Sequence, residues 1–329
     1  MSKNSPLLTI VVPCYNEEAV LGETTKELTR VMNRLVTDEK ISDASIILYV
    51  DDGSADRTWD IIEEQIASHK YVEGLKLSRN FGHQGALIAG LETARQFSDC
   101  VVSIDADLQD DVDVIYEFIE KYQQGYEIVY GVRDKRDTDT AFKRNTALGF
   151  YRLMGKLGIK LVPNHADYRL MSKRALDEFV KYQEENVFIR GIVPLLGFKA
   201  TNVYYNRKER FAGESKYPLK KMLAFAWEGI TSFSIVPIRF VSALGFFMVL
   251  IGIGIAIYTL FAKLFSETVS GWTSLMLSIW MVGGIQLLAL GIIGEYIGKI
   301  FRETKKRPRY TIEKNSYVEN QERHLMNSK

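Results

Sequence analysis

The sequence predicts an α/β domain built on a mostly parallel sheet, continued by an amphipathic helix and a pair of membrane-crossing helices. Three observations predict it. From Ile46 onward, short apolar runs recur about every 27 residues with a helical segment between them, the size of a βαβ unit. These runs are continuous rather than alternating, which suits parallel strands covered on both faces. Farther along, Phe240 to Ala262 and Thr268 to Gly294 hold 23 and 27 residues without a charge, each long enough to cross a bilayer core.

The elements follow in order. Leu8-Thr9-Ile10-Val11-Val12 reads as a buried strand stopped by Pro13. A helix is expected over Glu17 to Val36 with Asn16 as its N-cap. Ile46 to Val50 is a second strand, followed by Asp51-Asp52-Gly53-Ser54, and Asp56-Arg57-Thr58 opens a helix to about Ser68. Gly74 to Leu77 is a third strand and Gly82 to Phe97 a helix. Cys100 to Ile104 is the fourth strand, Val112 to Gln124 a helix, and Ile128 to Tyr130 the fifth strand. No sequence repeat accompanies the period, so it marks an architecture and not a solenoid.

Right-handed crossovers place the C-terminal ends of such strands on one edge, where open α/β sheets bind ligands. Segments 13–17, 51–56, 78–83, 105–111 and 131–136 are therefore expected to converge on one crevice. Its acids are concentrated. Asp105 and Asp107 are two residues apart, so on an extended strand end they point the same way and repel unless a cation lies between them. A solvated acidic turn is the plainer reading of such a stretch. The wider crevice argues for more.

Common nucleotide motifs are missing. No G-x-G-x-x-G follows the first strand and no G-x-x-x-x-G-K-[ST] occurs, which argues against a dinucleotide dehydrogenase and a P-loop ATPase. An acidic crevice takes a phosphorylated ligand through a hard cation, Mg2+ or Mn2+, with Gln109 as a further oxygen ligand. Asp51 and Asp52 are placed to accept hydrogen bonds from a ribose or a base N–H. A formal net charge of +1 leaves no polyanion signature, so nucleic acid is not indicated as a partner. Cys14 and Cys100 lie at strand-like segments without metal-ligand spacing, and reduced, non-catalytic thiols are expected. His83, in a glycine-rich loop, is placed to touch a ligand, with a structural role as the favoured reading.

Flanking cations orient the two uncharged runs. Lys220, Lys221 and Arg239 precede the first, and Lys299, Arg302, Lys305, Lys306, Arg307 and Arg309 follow the second. The connecting loop holds only Lys263, so both termini and the large N-terminal region are expected in the cytoplasm. The first apolar run, Leu7 to Val12, is too short for a signal peptide. Leu219, Met222, Leu223, Ala226, Ile230 and Phe233 recur at helical spacing, which suits a helix lying along the membrane surface. The expected organisation is a catalytic domain over 1–217, an interfacial helix over 218–237 and a hairpin over 238–300 with spans at about 240–262 and 274–296. A basic tail over 301–329 follows, flexible from residue 310.

Residues 10–18, 51–58, 78–83, 105–110, 167–172 and 210–216 together resemble the signature set of the family 2, GT-A glycosyltransferases. With two C-terminal spans the resemblance is to the polyprenyl-phosphate branch, which includes dolichol-phosphate mannose synthases and bactoprenol glucosyltransferases. It covers the chain to about residue 309; Asp111 departs from it, where relatives often carry proline. The resemblance implies a Rossmann-like GT-A domain that moves one sugar from a nucleotide diphosphate, UDP-glucose first, to undecaprenyl or another polyprenyl phosphate, inverting the anomeric carbon. UDP-N-acetylglucosamine, a 4-amino-4-deoxyarabinose donor and GDP-mannose are alternatives.

By the same resemblance Pro13, Tyr15, Glu17 and Asp52 contact the base and ribose. Asp105, Asp107 and Gln109 hold the metal and the donor diphosphate, and Arg133 and Arg144 meet the acceptor phosphate. Asp167 orients the sugar or an arginine, or serves as a base. Arg210, Ser215 and Lys216 lie on a loop, hinged at Gly213, that closes on phosphates. Relatives associate through their spans, which extends the expectation to a homo-oligomer. A processive polysaccharide synthase is disfavoured by the missing Gln-x-x-Arg-Trp motif, and a non-catalytic nucleotide-sugar sensor by the complete Asp105, Asp107 and Gln109 set.

Overall fold

A computed structural model describes residues 5–134, 165–184, 188–206 and 271–318, with scattered positions from 238 to 257. The chain divides into two compact units. The first takes in Met1–Leu153, Lys160–Lys216 and Pro308–Lys329, and the second Met154–Ile159 and Tyr217–Arg307.

The first unit holds an eight-stranded sheet among the described residues. Its strands are β1 (Leu8–Cys14), β2 (Ile46–Asp51), β3 (Val72–Leu77), β4 (Cys100–Ser103), β5 (Ile128–Arg133), β6 (His165–Ser172), β7 (Ala200–Tyr205) and β8 (Ile312–Asn315). Helices α1 (Leu21–Thr37), α2 (Thr58–Ser68), α3 (His83–Ala94) and α4 (Val114–Gln123) connect the first five strands. Two shorter helices, α5 (Lys173–Phe179) and α6 (Ile189–Ile192), follow β6. The strand order is β7-β5-β6-β4-β1-β2-β3-β8. The pairs β1·β2, β1·β4, β2·β3 and β5·β7 are parallel, while β6 is antiparallel to β4 and β5 and β8 is antiparallel to β3.

Every residue of β1, β2 and β4 is buried, as continuous apolar runs in a parallel sheet require. The amphipathic α1 turns Leu21, Leu28, Val31, Met32 and Leu35 into the core, whereas α3 is apolar almost all round and sinks between its neighbours. Gly90 lets α3 approach the sheet closely: a Cβ there would lie 2.4 Å from Val11 Cγ1 and 2.9 Å from Val50 Cγ2.

Four expectations are corrected. Pro13 does not stop β1, which runs on to Cys14 with Pro13 paired to Val50. The reason lies in the pairing. Val11 accepts from Ile104 on the β4 side, and Cys14 accepts from Asp52 on the β2 side. Pro13 shares Val11's parity, so its missing N–H faces the flank where β4 has already ended, and no ladder bond is lost. Asn16 does not cap α1. It stands in the left-handed region at φ 55°, which asparagine tolerates, and the helix begins at Leu21.

The third correction concerns β6, a strand that the sequence reading did not register, which lies antiparallel between β4 and β5. The fourth concerns the tail. Residues 310–318 are not flexible: β8 pairs along the outer edge of β3, Ser78 N donates to Thr311 O at 3.0 Å, and Tyr317 stacks on Phe97 at 3.9 Å. Ser316 donates to Glu73 and accepts from Gly74 N at 2.7 Å.

In the second unit α7 (Trp272–Lys305) runs for 34 residues. Its stretch Met281–Lys305 is long and apolar enough to cross a membrane, and is the one such helix among the described residues. Leu287, Leu288 and Leu290 all point outward from it, with Leu287 73% exposed. The expected interfacial helix and most of the expected first span lie outside the described residues.

Candidate active site at the strand ends

Because β1, β2, β3 and β4 are mutually parallel, and β5 opposes a strand that opposes β4, all five C-terminal ends open on one edge of the sheet. The order reverses at β1, which sits between β4 and β2, and this switch point is where a ligand crevice forms.

The turns after β1 and β2 are stitched together. Asn16 N donates to Ser54 Oγ at 3.0 Å, Ala55 N to Asn16 Oδ1 at 2.9 Å and Glu17 N to Thr58 Oγ1 at 2.8 Å. Pro13 is buried and Tyr15 exposed on this wall. Asp51 and Asp52, both buried, differ in use. Asp52 Oδ1 accepts the Phe81 amide at 2.7 Å and so ties β2 to the loop after β3. Asp51 Oδ1 accepts from Ser54 N at 3.3 Å, but its buried Oδ2 has no hydrogen-bond partner among the described residues. Desolvation raises the pKa of both carboxyls. A buried acceptor without a donor costs free energy, so the free oxygen of Asp51 is a position that a ligand N–H or O–H would complete.

The loop after β4 turns at Leu108, a non-glycine residue at φ 54°. That turn brings Gln109 N to 3.2 Å from Asp107 Oδ1. Its far end is anchored: buried Asp110 accepts from Tyr205 Oη at 2.6 Å and Arg133 Nη2 at 3.1 Å, and Tyr168 Oη donates to Asp111 O at 2.9 Å. The turn is thus fixed by β5, β6 and β7, three strands beyond its own. Burial raises the Asp105 carboxyl above the ordinary aspartate range; His83 counters this, while Asp167, Asp110 and Asp107 add to it. This is the electrostatic setting that a cation relieves. Two carboxylates and an amide oxygen are hard donors that suit Mg2+ or Mn2+. No group of three or more His, Cys, Asp or Glu side chains stands ready for a metal among the described residues.

Asp167, near the start of β6, lies at the centre of a charged cluster. Its Oδ1 accepts from Arg169 Nη2 and, at 3.3 Å, from Arg190 Nε; its Oδ2 accepts from Arg190 Nη2 at 3.0 Å and Gln84 Nε2 at 3.5 Å. His83 Nε2 stands 3.5 Å from Asp167 Oδ2 and 3.7 Å from Asp105 Oδ1, linking the two strand ends. Burial alone would raise the Asp167 pKa, but Arg190, His83 and Arg169 hold it well below the usual range. The group stays ionised, which leaves it a poor proton acceptor.

The structure therefore gathers Pro13, Tyr15, Glu17, Asp51, Asp52, Asp105, Asp107, Gln109, Arg133 and Asp167 at the strand ends. Arg133 is engaged with Asp110 rather than open to a ligand on all sides. Arg144, Arg210, Ser215 and Lys216 lie outside the described residues. The sequence reading missed Arg190, Gln84 and Tyr205, counted Asp110 in the acidic stretch without giving it a role, and favoured a structural His83 over one that touches a ligand. Arg190 had a legible signal: it is a lone cation in the apolar run Val187-Phe188-Ile189-Arg190-Gly191-Ile192. Cys14 and Cys100 are buried, free thiols whose pKa desolvation raises, so they remain protonated.

The sheet and its acid-lined edge define a GT-A-like α/β domain. The chain belongs to glycosyl transferase family 2, whose profile matches residues 9–180, and it is a glycosyltransferase. A second profile, the GtrB C-terminal hairpin, matches residues 236–300. An uncharacterized glycosyltransferase of Bacillus subtilis (strain 168), YkoT, is 58% identical over 97% of this chain and 95% of its own length. The SfII prophage-derived bactoprenol glucosyl transferase of Shigella flexneri is 39% identical over 93% of this chain and 97% of its own. Among solved structures, mannosyl-3-phosphoglycerate synthase from Rubrobacter xylanophilus is 19% identical, covering 68% of this chain and 72% of its own at a TM-score of 0.47.

Proposed function

We propose that this protein transfers a single sugar, glucose from UDP-glucose, to undecaprenyl or another polyprenyl phosphate at the cytoplasmic face of the membrane. The observation that carries the reading is the pairing, in one chain, of an acid-lined α/β crevice with a hairpin profile, over nearly the full length of bactoprenol glucosyl transferases. The free buried oxygen of Asp51 supports a nucleotide at the β1–β2 wall, because a base N–H would satisfy it. Pro13, Tyr15, Glu17 and Asp52 shape the rest of that wall.

Asp105, Asp107 and Gln109 would hold a Mg2+ or Mn2+ ion. When bound, such an ion neutralises charge on the leaving diphosphate. The chain's own residues do the remainder. A phosphate monoester has a second pKa of about 6, so the acceptor is already largely ionised near neutral pH and hardly needs a base. Asp167, ionised and gripped by two arginines, orients cations instead of taking a proton. Arg133 and Arg144 offset the acceptor's charge, and Arg210, Ser215 and Lys216 close over the phosphates. Attack in line with the departing diphosphate inverts the anomeric carbon.

The sheet itself supports a hairpin. β7 precedes the apolar region and β8 follows it, and both belong to one sheet. A chain that leaves a sheet, crosses a bilayer and returns to the same sheet crosses an even number of times. With α7 as one crossing, the partner falls in the expected span at about 240–262. Two spans with both termini in the cytoplasm, and a homo-oligomer associated through those spans, complete the reading. The test is purified protein with polyprenyl phosphate, Mg2+ or Mn2+, and a panel of UDP-glucose, UDP-N-acetylglucosamine, GDP-mannose and a 4-amino-4-deoxyarabinose donor. A lipid-linked sugar from UDP-glucose, lost on adding EDTA, is expected. Product from another donor alone would reassign the sugar, and turnover unaffected by EDTA would overturn the metal.

A further inference from the structure

The cluster around Asp167 carries more positive charge than its carboxylate can cancel. Asp167 and Arg169 are both buried and bonded to each other, and that pair is already neutral. Arg190 brings a second guanidinium to the same carboxylate through Nε and Nη2. Among Asp167, Arg169 and Arg190 one positive charge is left over; Asp105, the further carboxylate that acts on Arg190, stands across His83 and is itself assigned to a cation in the reading above, and a surplus cation in a partly desolvated site is costly unless an anion meets it. The surplus lies on the reachable partner: the Arg190 side chain is 37% exposed and that of Arg169 1%. Both Arg190 bonds use one edge of the guanidinium fork, and Nη1 makes no hydrogen bond among the described residues. The Arg190 charge also interacts with Asp105 and Arg133, so it acts within the electrostatic reach of the acidic loop and of β5.

We propose that Arg190 is a phosphate-contacting residue of the crevice, aimed by Asp167, with Arg169 as the buried counter-charge that keeps Asp167 ionised. The anion is a phosphate ester oxygen, for which guanidinium geometry is suited. The inference rests on the transfer reading above, in which a donor diphosphate and an acceptor monophosphate share one crevice. Either supplies the chemistry. Asp167 and Arg169 are positioning residues here and touch no substrate.

The experiment uses the full chain in detergent with Mn2+. Phenylglyoxal modification of Arg190 is followed by peptide mass spectrometry with no ligand, with UDP, and with a short-chain polyprenyl phosphate, and binding of each ligand is measured separately by calorimetry. Protection of Arg190 by UDP assigns it to the donor, and protection by the lipid phosphate to the acceptor. Binding of both ligands with no protection by either overturns the proposal and leaves the transfer reading intact. Binding of neither ligand overturns the transfer reading, and this inference with it. In parallel, Arg190→Gln is expected to weaken binding of the assigned ligand roughly 10- to 100-fold, with Arg190→Lys intermediate because it keeps the charge and loses the fork. A lowered melting temperature with both affinities unchanged would instead make Arg190 a structural brace and sink the proposal.

Discussion

Asp167 shows how one side chain ties the fold to the chemistry. Buried beside the equally buried Arg169, it cannot be removed without stranding a cation. Asp167→Asn is therefore expected to destabilise the protein by about 3–5 kcal/mol, read as a fall in melting temperature. Its pKa is depressed, so its stabilisation is present above the unfolded aspartate value of about 3.9 and is lost as pH falls through the lower folded value. The melting gap between wild type and Asp167→Asn should widen as pH falls through the raised His83 pKa, because protonated His83 also leans on Asp167, and should narrow below about pH 4. A gap that closes near neutrality would show that Asp167 is not held ionised by its arginines. The place of Asp105 and Asp107 on the crevice edge was legible in the sequence, because they follow directly on the apolar run of β4. The grip on Asp167 was not legible, because it comes from Gln84, Arg169 and Arg190 on three different elements.

At the scale of elements, β1 to β5 and their helices were readable because buried parallel strands are written as unbroken apolar runs. β6 was hidden by its content: His165, Asp167 and Arg169 make a central strand look like a polar loop. β8 was hidden for another reason. Ile312-Glu313-Lys314-Asn315 is a short, charged edge strand whose partners are more than 230 residues away, as in Lys76 with Glu313. Two substitutions test these placements. Ser316→Ala strands the Gly74 N–H and is expected to cost about 1–3 kcal/mol, whereas a loose tail would show no change in thermal unfolding. Gly90→Ala forces a methyl against Val11 and Val50 and is expected to cost about 1–3 kcal/mol; an unaltered melting temperature would contradict the close approach of α3 to the sheet.

Across the whole molecule, the chain carries an acid-lined crevice and, farther along, a helix with an apolar exterior. Return of the chain to its own sheet after that helix is the ground on which we propose an even number of crossings, without reference to charge. Cation bias, read from sequence, points to the same topology by a separate route. An engineered cysteine in the connection expected from sequence over 263–274 should be labelled by a membrane-impermeant maleimide added outside intact cells, and protection there would contradict the two-span arrangement. The sugar was not legible in the sequence, since none of its motifs reads the sugar hydroxyls. The acceptor is the central claim, and it is tested most directly by supplying labelled UDP-glucose with either polyprenyl phosphate or the corresponding polyprenol. Label entering the lipid phase only with polyprenyl phosphate is the predicted result. Equal transfer to the polyprenol, or release of free glucose with no lipid product, would contradict it.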